Sequence, residues 1–407
     1  MKSSWVKKSL GEVCELIADG DWIESKDQSS SGIRLIQTGN VGVGVFRNKD
    51  GCEHFISQGT FNRLKCTEIF GGDILISRLP DPVGRACVVP DLGQRLITAV
   101  DCSIVRLKQG ECLPDFFVYY ASSKEWFNAI EAKCTGSTRK RISRKNLTGI
   151  LVPVPPLPEQ KRIVAKIDAA FEKIDKLTAN AERNLANAKE LFQSALDEAM
   201  RPKKGWAERR LGEVGACKNG LNFKRVAVGE SIDIVGVGDF KKGLFVDDAT
   251  SLERLTLDKL PEQDWYLQPN DIVFVRSNGS KALVGRAVIV KTRRLLTFSG
   301  FCIRYRIEDK NVNADFLARI VSSERFRKKM LVGRNASTIN NVTQPILLAQ
   351  VIGLPSLVEQ KQIVKRLDSL SEKVKSLEQH YTRQVADCTE LRQSVLREAF
   401  EGRLKKE

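Results

Sequence analysis

The chain repeats itself over a very long period. PPLPEQKRIVAKI at 155–167 returns as PSLVEQKQIVKRL at 355–367, so Glu159 and Glu359 stand 200 residues apart. ELFQSALDEAM at 190–200 returns as ELRQSVLREAF at 390–400. LGEV occurs at 10–13 and 211–214, each time shortly after a tryptophan, Trp5 or Trp206. VGRACVV at 83–89 and DFFVYYASS at 115–123 come back as VGRAVIV at 284–290 and DFLARIVSS at 315–323. Solenoid units run roughly 20–50 residues, so this period marks a duplicated domain with a duplicated connector. Two similar units suggest a molecule that engages two similar things, or two halves of one thing.

Four segments follow from composition and pattern. Residues 1–158 form a first globular head, 159–204 a first long helix, 205–358 a second head and 359–407 a second long helix. In the first head, short β-rich runs alternate with turn signals: 33–46, 72–79, 85–90 and 102–107, before a helical stretch over 115–133 and a basic loop at 135–146. In the second head, 270–277 and 285–291 are the matching strands. VPVPPLP at 152–158 forces an extended link and delays helix initiation. Behind it, Ile163, Ile167, Ala170, Ile174, Leu177, Ala181, Ala188, Leu191 and Ala195 mark a heptad seam, with Asn184 in one slot. Ile363, Leu367, Leu370, Val374, Leu377, Tyr381, Cys388, Leu391 and Val395 repeat it, with Gln384 in the same slot. The polar slot is either tolerated or sets the register.

At 1.5 Å per residue, each rod is roughly 60 Å long. The second rod buries its seam by folding back on the first. The expected fold is therefore α+β: two similar β-rich heads joined by two long helices in an antiparallel coiled coil, with pseudo-two-fold symmetry.

Lys and Arg total 66 against 50 Asp and Glu, a net charge of +16. Such an excess points to a polyanion, because each neutralised phosphate releases condensed counterions. No apolar run approaches the ~20 residues of a membrane span. The lysines of MKSSWVKKSL precede no apolar stretch, so no signal peptide is expected and the chain reads as cytoplasmic. The 10 cysteines contain no C-x-x-C, and with only His54 and His380 the chain lacks zinc spacing. Buried, reduced thiols and no metal are expected. No Walker A pattern and no G-x-G-x-x-G after a strand occur. Nor does an N/D-P-P-Y/F tetrad of the adenine methyltransferase kind. VGVGVF at 41–46 reads as a strand with a turn, and Asp73 and Asp271 lack the other parts of a nuclease site.

Two similar heads on a fixed spacer suit a split DNA target, since dimeric readers place their half-sites about one helical turn apart. The proline-rich stop followed by P-x-L-x-E-Q-K/R-x-I-V, present twice and each time opening a long helix, resembles the specificity subunit of Type I restriction–modification systems. The resemblance covers essentially the full chain. It implies that the heads are target-recognition domains, each reading one part of a bipartite double-stranded DNA site, and that the coiled coil sets the gap between the parts. It implies no catalytic centre and no cofactor in this chain. The implied partners are two modification subunits, which methylate adenine with S-adenosylmethionine, and ATP-driven restriction subunits. A stand-alone coiled-coil DNA-binding or scaffolding protein is the alternative. A catalytic methylase or nuclease would need a cofactor motif that is missing.

Base edges are read mainly by Arg and Lys at guanine and by Asn and Gln at adenine. Phosphates are held by Arg, Lys, Ser, Thr and backbone amides. The candidate DNA-binding residues of the first head are Arg78, Arg85, Arg139, Lys140, Arg141, Arg144 and Lys145. Those of the second are Arg276, Asn278, Ser280, Lys281, Arg286, Arg334, Asn335, Thr338, Asn340 and Asn341. Arg139, Lys140 and Arg141 correspond to Ile339, Asn340 and Asn341, and different chemistry at matched places is what two different half-sites need. Arg85 and Arg286 sit in the near-identical VGRA stretch, where a structural or phosphate role competes with base reading.

Overall fold

Two short strands, Ile74–Ser77 and Ile272–Val275, set the plan of the heads. Both are buried at every residue and apolar throughout except for Ser77, which is the pattern of a strand covered on both faces. Alternate side chains serve different cores. Ile74 and Ile76 join Val105, Phe116, Phe117 and Trp126, while Leu75 joins Cys87, Cys102 and Ile104 on the other face. In the second head Ile272 and Phe274 pack with Tyr305 and Phe316, and Val273 and Val275 with Val290 and Phe298.

The computed structural model describes residues 5–136, 139–241, 243–280, 282–331, 341–401 and 403. The chain divides into two compact units: Met1–Glu182 with Thr382–Glu407, and Arg183–Tyr381. In the first, an antiparallel sheet runs in the order Cys14–Asp19, Cys102–Leu107, Ile74–Ser77, Ala86–Val88. A five-stranded sheet around Ile33–Ile36, parallel to Leu96–Thr98, covers it. The second unit repeats the first sheet as Gly215–Asn219, Cys302–Ile307, Ile272–Val275 and Ala287–Val290, and adds Phe245–Val246 at the edge. Its second sheet has three strands, Glu253–Leu257, Glu230–Val235 and Leu296–Phe298. A two-stranded ribbon in each unit ties the segment before LGEV to the proline-rich stop: Val6–Ser9 with Leu151–Val154, and Ala207–Arg210 with Val351–Leu354.

The long helices are Leu157–Ala199 and Leu357–Phe400, and they pack antiparallel. In the first unit Leu396 and Phe400 join the cluster of Ile163 and Ile167, while Arg392 pairs with Asp175 and lies over the Phe171 ring. In the second, Leu367 joins Leu196 and Met200.

Three expectations need correction. The run 33–46 is a strand only over Ile33–Ile36; beyond it Gly44 takes a positive φ of 74°, and Val43 and Val45 face solvent. The stretch 115–133 is two helices, Pro114–Tyr120 and Lys124–Glu131, because the Ser123 hydroxyl accepts from Trp126 N–H and caps a new start. The seam is also out of phase at every second position. Leu177, Leu191, Leu377 and Leu391 are exposed, and Asn184 and Gln384 are only half-buried. Thr178, Leu185 and Phe192, each half-buried, take the intermediate slots that alternate with the buried Ile174, Ala181 and Ala188.

Candidate nucleic-acid interface

The candidate loops of the first head meet at one end of its antiparallel sheet. Arg78 follows the strand Ile74–Ser77, and its backbone N–H donates to Asp101 O (2.8 Å), just ahead of Cys102–Leu107. Its side chain turns inward. One guanidinium nitrogen lies 3.2 Å from Asp19 and another donates to Val100 O, and burial pulls the Arg78 pKa down. Thr135 and Arg141 exchange two backbone hydrogen bonds of 2.9 Å, which closes the basic loop into a narrow hairpin. That closure brings Arg141 to 3.6 Å from Asp101, and Arg144 then falls 3.9 Å from Asp19. Arg78, Arg141 and Arg144 thus gather around two carboxylates from neighbouring strand ends. Lys140 pairs with Glu131 at 2.5 Å, whereas Arg139 and Lys145 are exposed and make no ion pair among the described residues.

Arg85 sits elsewhere. It is buried, with Nε donating to Val41 O (2.7 Å), Nη1 to Leu79 O (2.8 Å) and Pro82 O (3.0 Å), and Nη2 to Thr38 O (3.0 Å). Four carbonyls take four of its five N–H donors, so it fastens the 77–85 loop to the 38–41 turn. Arg286, at the matching place, is exposed and donates to Ala282 O (3.1 Å) and Phe240 O (3.4 Å).

In the second head the turn after Ile272–Val275 meets the chain at Asn341 and Val342. Arg276 N–H donates to Phe301 O (2.8 Å), and Arg276 O accepts from Val342 N–H (2.7 Å), so Ser277 lies opposite Asn341. Asn278 Oδ1 accepts from Ser280 N–H at 2.8 Å, shaping the turn that carries both. Lys281, Arg334, Asn335, Thr338 and Asn340 lie outside the described residues. Beside this edge opens a cleft of about 1090 Å³, lined in part by Asn222, Ser277, Asn278, Ser299 and Phe301.

Sequence reasoning missed Asp19, Asp101, Trp22, Asn222 and Phe301. Trp22 and Phe301 are exposed at the same strand ends. Reading one repeat against the other could have found them, because they differ beside residues that repeat, such as Gly20 and Gly220. Among the described residues no cluster of His, Cys, Asp and Glu could hold a metal ion, and no helix is long and apolar enough to cross a membrane.

In architectural class the chain is a duplicated α+β head, each copy followed by one of two paired long helices. The chain belongs to the family of the Type I restriction modification DNA specificity domain, which matches residues 2–186 and again 203–385. It is 27% identical over 309 residues to the Type I restriction enzyme StySPI specificity subunit of Salmonella potsdam, covering 72% of this chain and 65% of that one. It is 26% identical over 308 residues to the EcoKI specificity subunit of Escherichia coli (strain K12), covering 71% and 65%. The chain thus matches less than two thirds of the length of these relatives. Its fold is shared with a chain solved for the complex assembly and conformational transition of the type I R-M system, at a TM-score of 0.78, 21% identity and 99% coverage of both. The HsdS subunit from Thermoanaerobacter tengcongensis shares it at a TM-score of 0.57, 20% identity and 99% and 98% coverage.

Proposed function

We propose that this chain is the non-catalytic, sequence-specific DNA-binding subunit of a Type I restriction–modification complex. Each head reads one half of a bipartite, asymmetric double-stranded site, and the paired helices fix the gap. The chain directs two modification subunits to that site; these bind S-adenosylmethionine and methylate adenine. Restriction and translocase subunits complete the assembly, which works in the cytoplasm. The 17 candidate residues divide between base edges and phosphates, with Arg85 and Arg78 serving mainly to hold their loops.

One observation carries the reading: the family domain occurs twice, and Arg141 in one head and Asn341 in the other stand at matched positions with different side-chain chemistry. Co-expression with the neighbouring genes tests it. A subunit that binds S-adenosylmethionine should co-purify, and the complex should methylate adenine in duplex DNA. Tight, sequence-specific binding by this chain alone, with no such partner retained, would instead favour a stand-alone DNA-binding or scaffolding protein.

A further inference from the structure

Backbone hydrogen bonds put the reading edges of the two heads into register. Gly20 N–H donates to Cys102 O (2.9 Å) and Gly220 N–H to Cys302 O (3.0 Å). Arg78 N–H reaches Asp101 O and Arg276 N–H reaches Phe301 O, both at 2.8 Å. Ser143 and Thr343 occupy the same N-cap position of the short helices Arg144–Thr148 and Gln344–Leu348. On this frame Asp19 corresponds to Asn219, Asp101 to Phe301, Arg141 to Asn341 and Arg144 to Gln344. Every charged group of the first set is neutral in the second, and all but Phe301 of the replacements are amides.

The supports differ in the same sense. In the first head the carboxylates of Asp101 and Asp19 stand beside Arg141 and Arg144, whose side chains remain 47% and 54% exposed. A carboxylate on one side of a guanidinium fixes its plane and leaves its outer N–H groups to donate. In the second head Asn219 Oδ1 is buried and has no hydrogen-bond partner among the described residues, at the place where Asp19 meets two arginines. Of the two arginines that Asp19 meets, Arg144 gives way to Gln344 while Arg78 persists as Arg276, so the position loses one of its two cationic partners. Arg forks match guanine O6 and N7, whereas a carboxamide matches adenine N6 and N7.

Resting on the DNA-specificity reading above, we propose that the two half-sites differ in base chemistry: the first head reads guanine through Arg141 and Arg144, and the second reads adenine through Asn341, Gln344 and Asn222. Asp101 and Asp19 are positioning residues for the arginines. The guanidinium donates to both guanine acceptors of the major groove. Each amide donates to adenine N7 and accepts from N6. Asn222 approaches from the wall of the cleft beside this edge.

The test uses the full chain in complex with its modification subunits, on synthetic duplexes of its own site. Each guanine in turn is replaced by 7-deazaguanine and each adenine by 7-deazaadenine, which deletes the N7 acceptor alone. In one half-site a deazaguanine should weaken binding by about tenfold, the lower part of the range for a bidentate pair, since O6 remains. Arg141→Ala with Arg144→Ala should abolish that sensitivity, and so should Arg141→Lys with Arg144→Lys, which keeps the charge but loses the fork. In the other half-site a deazaadenine should do the same, with sensitivity lost in Asn341→Ala with Gln344→Ala. The proposal is overturned if the arginine variants keep their full guanine sensitivity, if the amide variants keep their adenine sensitivity, or if the two halves respond the other way round. An unchanged unfolding midpoint shows that a variant is folded. A complex that binds no split site at all would sink the DNA-specificity reading itself, a result separate from these.

Discussion

One buried glutamine explains why E-Q-K recurs at the start of each rod. Gln160 Oε1 accepts from Leu113 N–H (2.8 Å), and Nε2 donates to Glu111 O (2.9 Å) and Pro155 O (2.8 Å). Gln360 does the same with Asn313 N–H (2.7 Å), Asn311 O (3.0 Å) and Pro355 O (2.9 Å). Each side chain stitches the loop after a central strand to the proline-rich stop and the first helical turn. Removing it strands buried backbone groups, which cost roughly 1–3 kcal/mol each when left unmade. Gln160→Ala should therefore lower stability to urea by about 3 kcal/mol; a loss below about 1 kcal/mol would show that water replaces the amide without penalty. The motif can be recognised in the sequence, but its reason cannot. Two of the three partners of Gln160 lie 47 and 49 residues away, and nothing local forecasts them. The same holds for Arg85, whose carbonyl partners are scattered from Thr38 to Pro82, and for the carboxylates of Asp19 and Asp101. A carboxylate in a basic loop protein reads as a poor DNA contact until the arginine it steadies is seen.

At the scale of elements, what the repeat makes legible is the order of parts and the position of the central strands. Ile74–Ser77, Cys102–Leu107 and Ile272–Val275 fall inside the apolar runs that announce them. Helical phase is harder to read. Apolar or small side chains stand in adjacent pairs, Ala170 with Phe171 and Leu191 with Phe192, so two seams fit the same letters. Size decides between them. Phe171 stacks edge-on against Tyr119 at 5.6 Å, and the phase it selects turns Leu177 outward. Ile174→Ala should cost about 2–5 kcal/mol, the usual range for emptying a core site, and Leu177→Ala less than about 1 kcal/mol, both read from unfolding of the full chain. Equal losses would restore the seam that contains Leu177. The break at Ser123 arises from capping: its hydroxyl competes for Trp126 N–H, which apolar periodicity alone does not register.

For the molecule as a whole, a net charge of +16 makes affinity for a polyanion strongly dependent on salt. Lys145 is exposed and unpaired among the described residues, so it suits a phosphate. Lys145→Ala should reduce the slope of log affinity against log salt by about 0.9 without altering the preferred sequence. An unchanged slope would remove Lys145 from the contact surface. On the function proposed above, one chain carries two different readers. Mapping methylated adenines genome-wide by single-molecule sequencing, after co-expression with the neighbouring genes, tests it most directly. A split, asymmetric motif with a fixed gap is the predicted result. A continuous motif, or a palindrome, would contradict it.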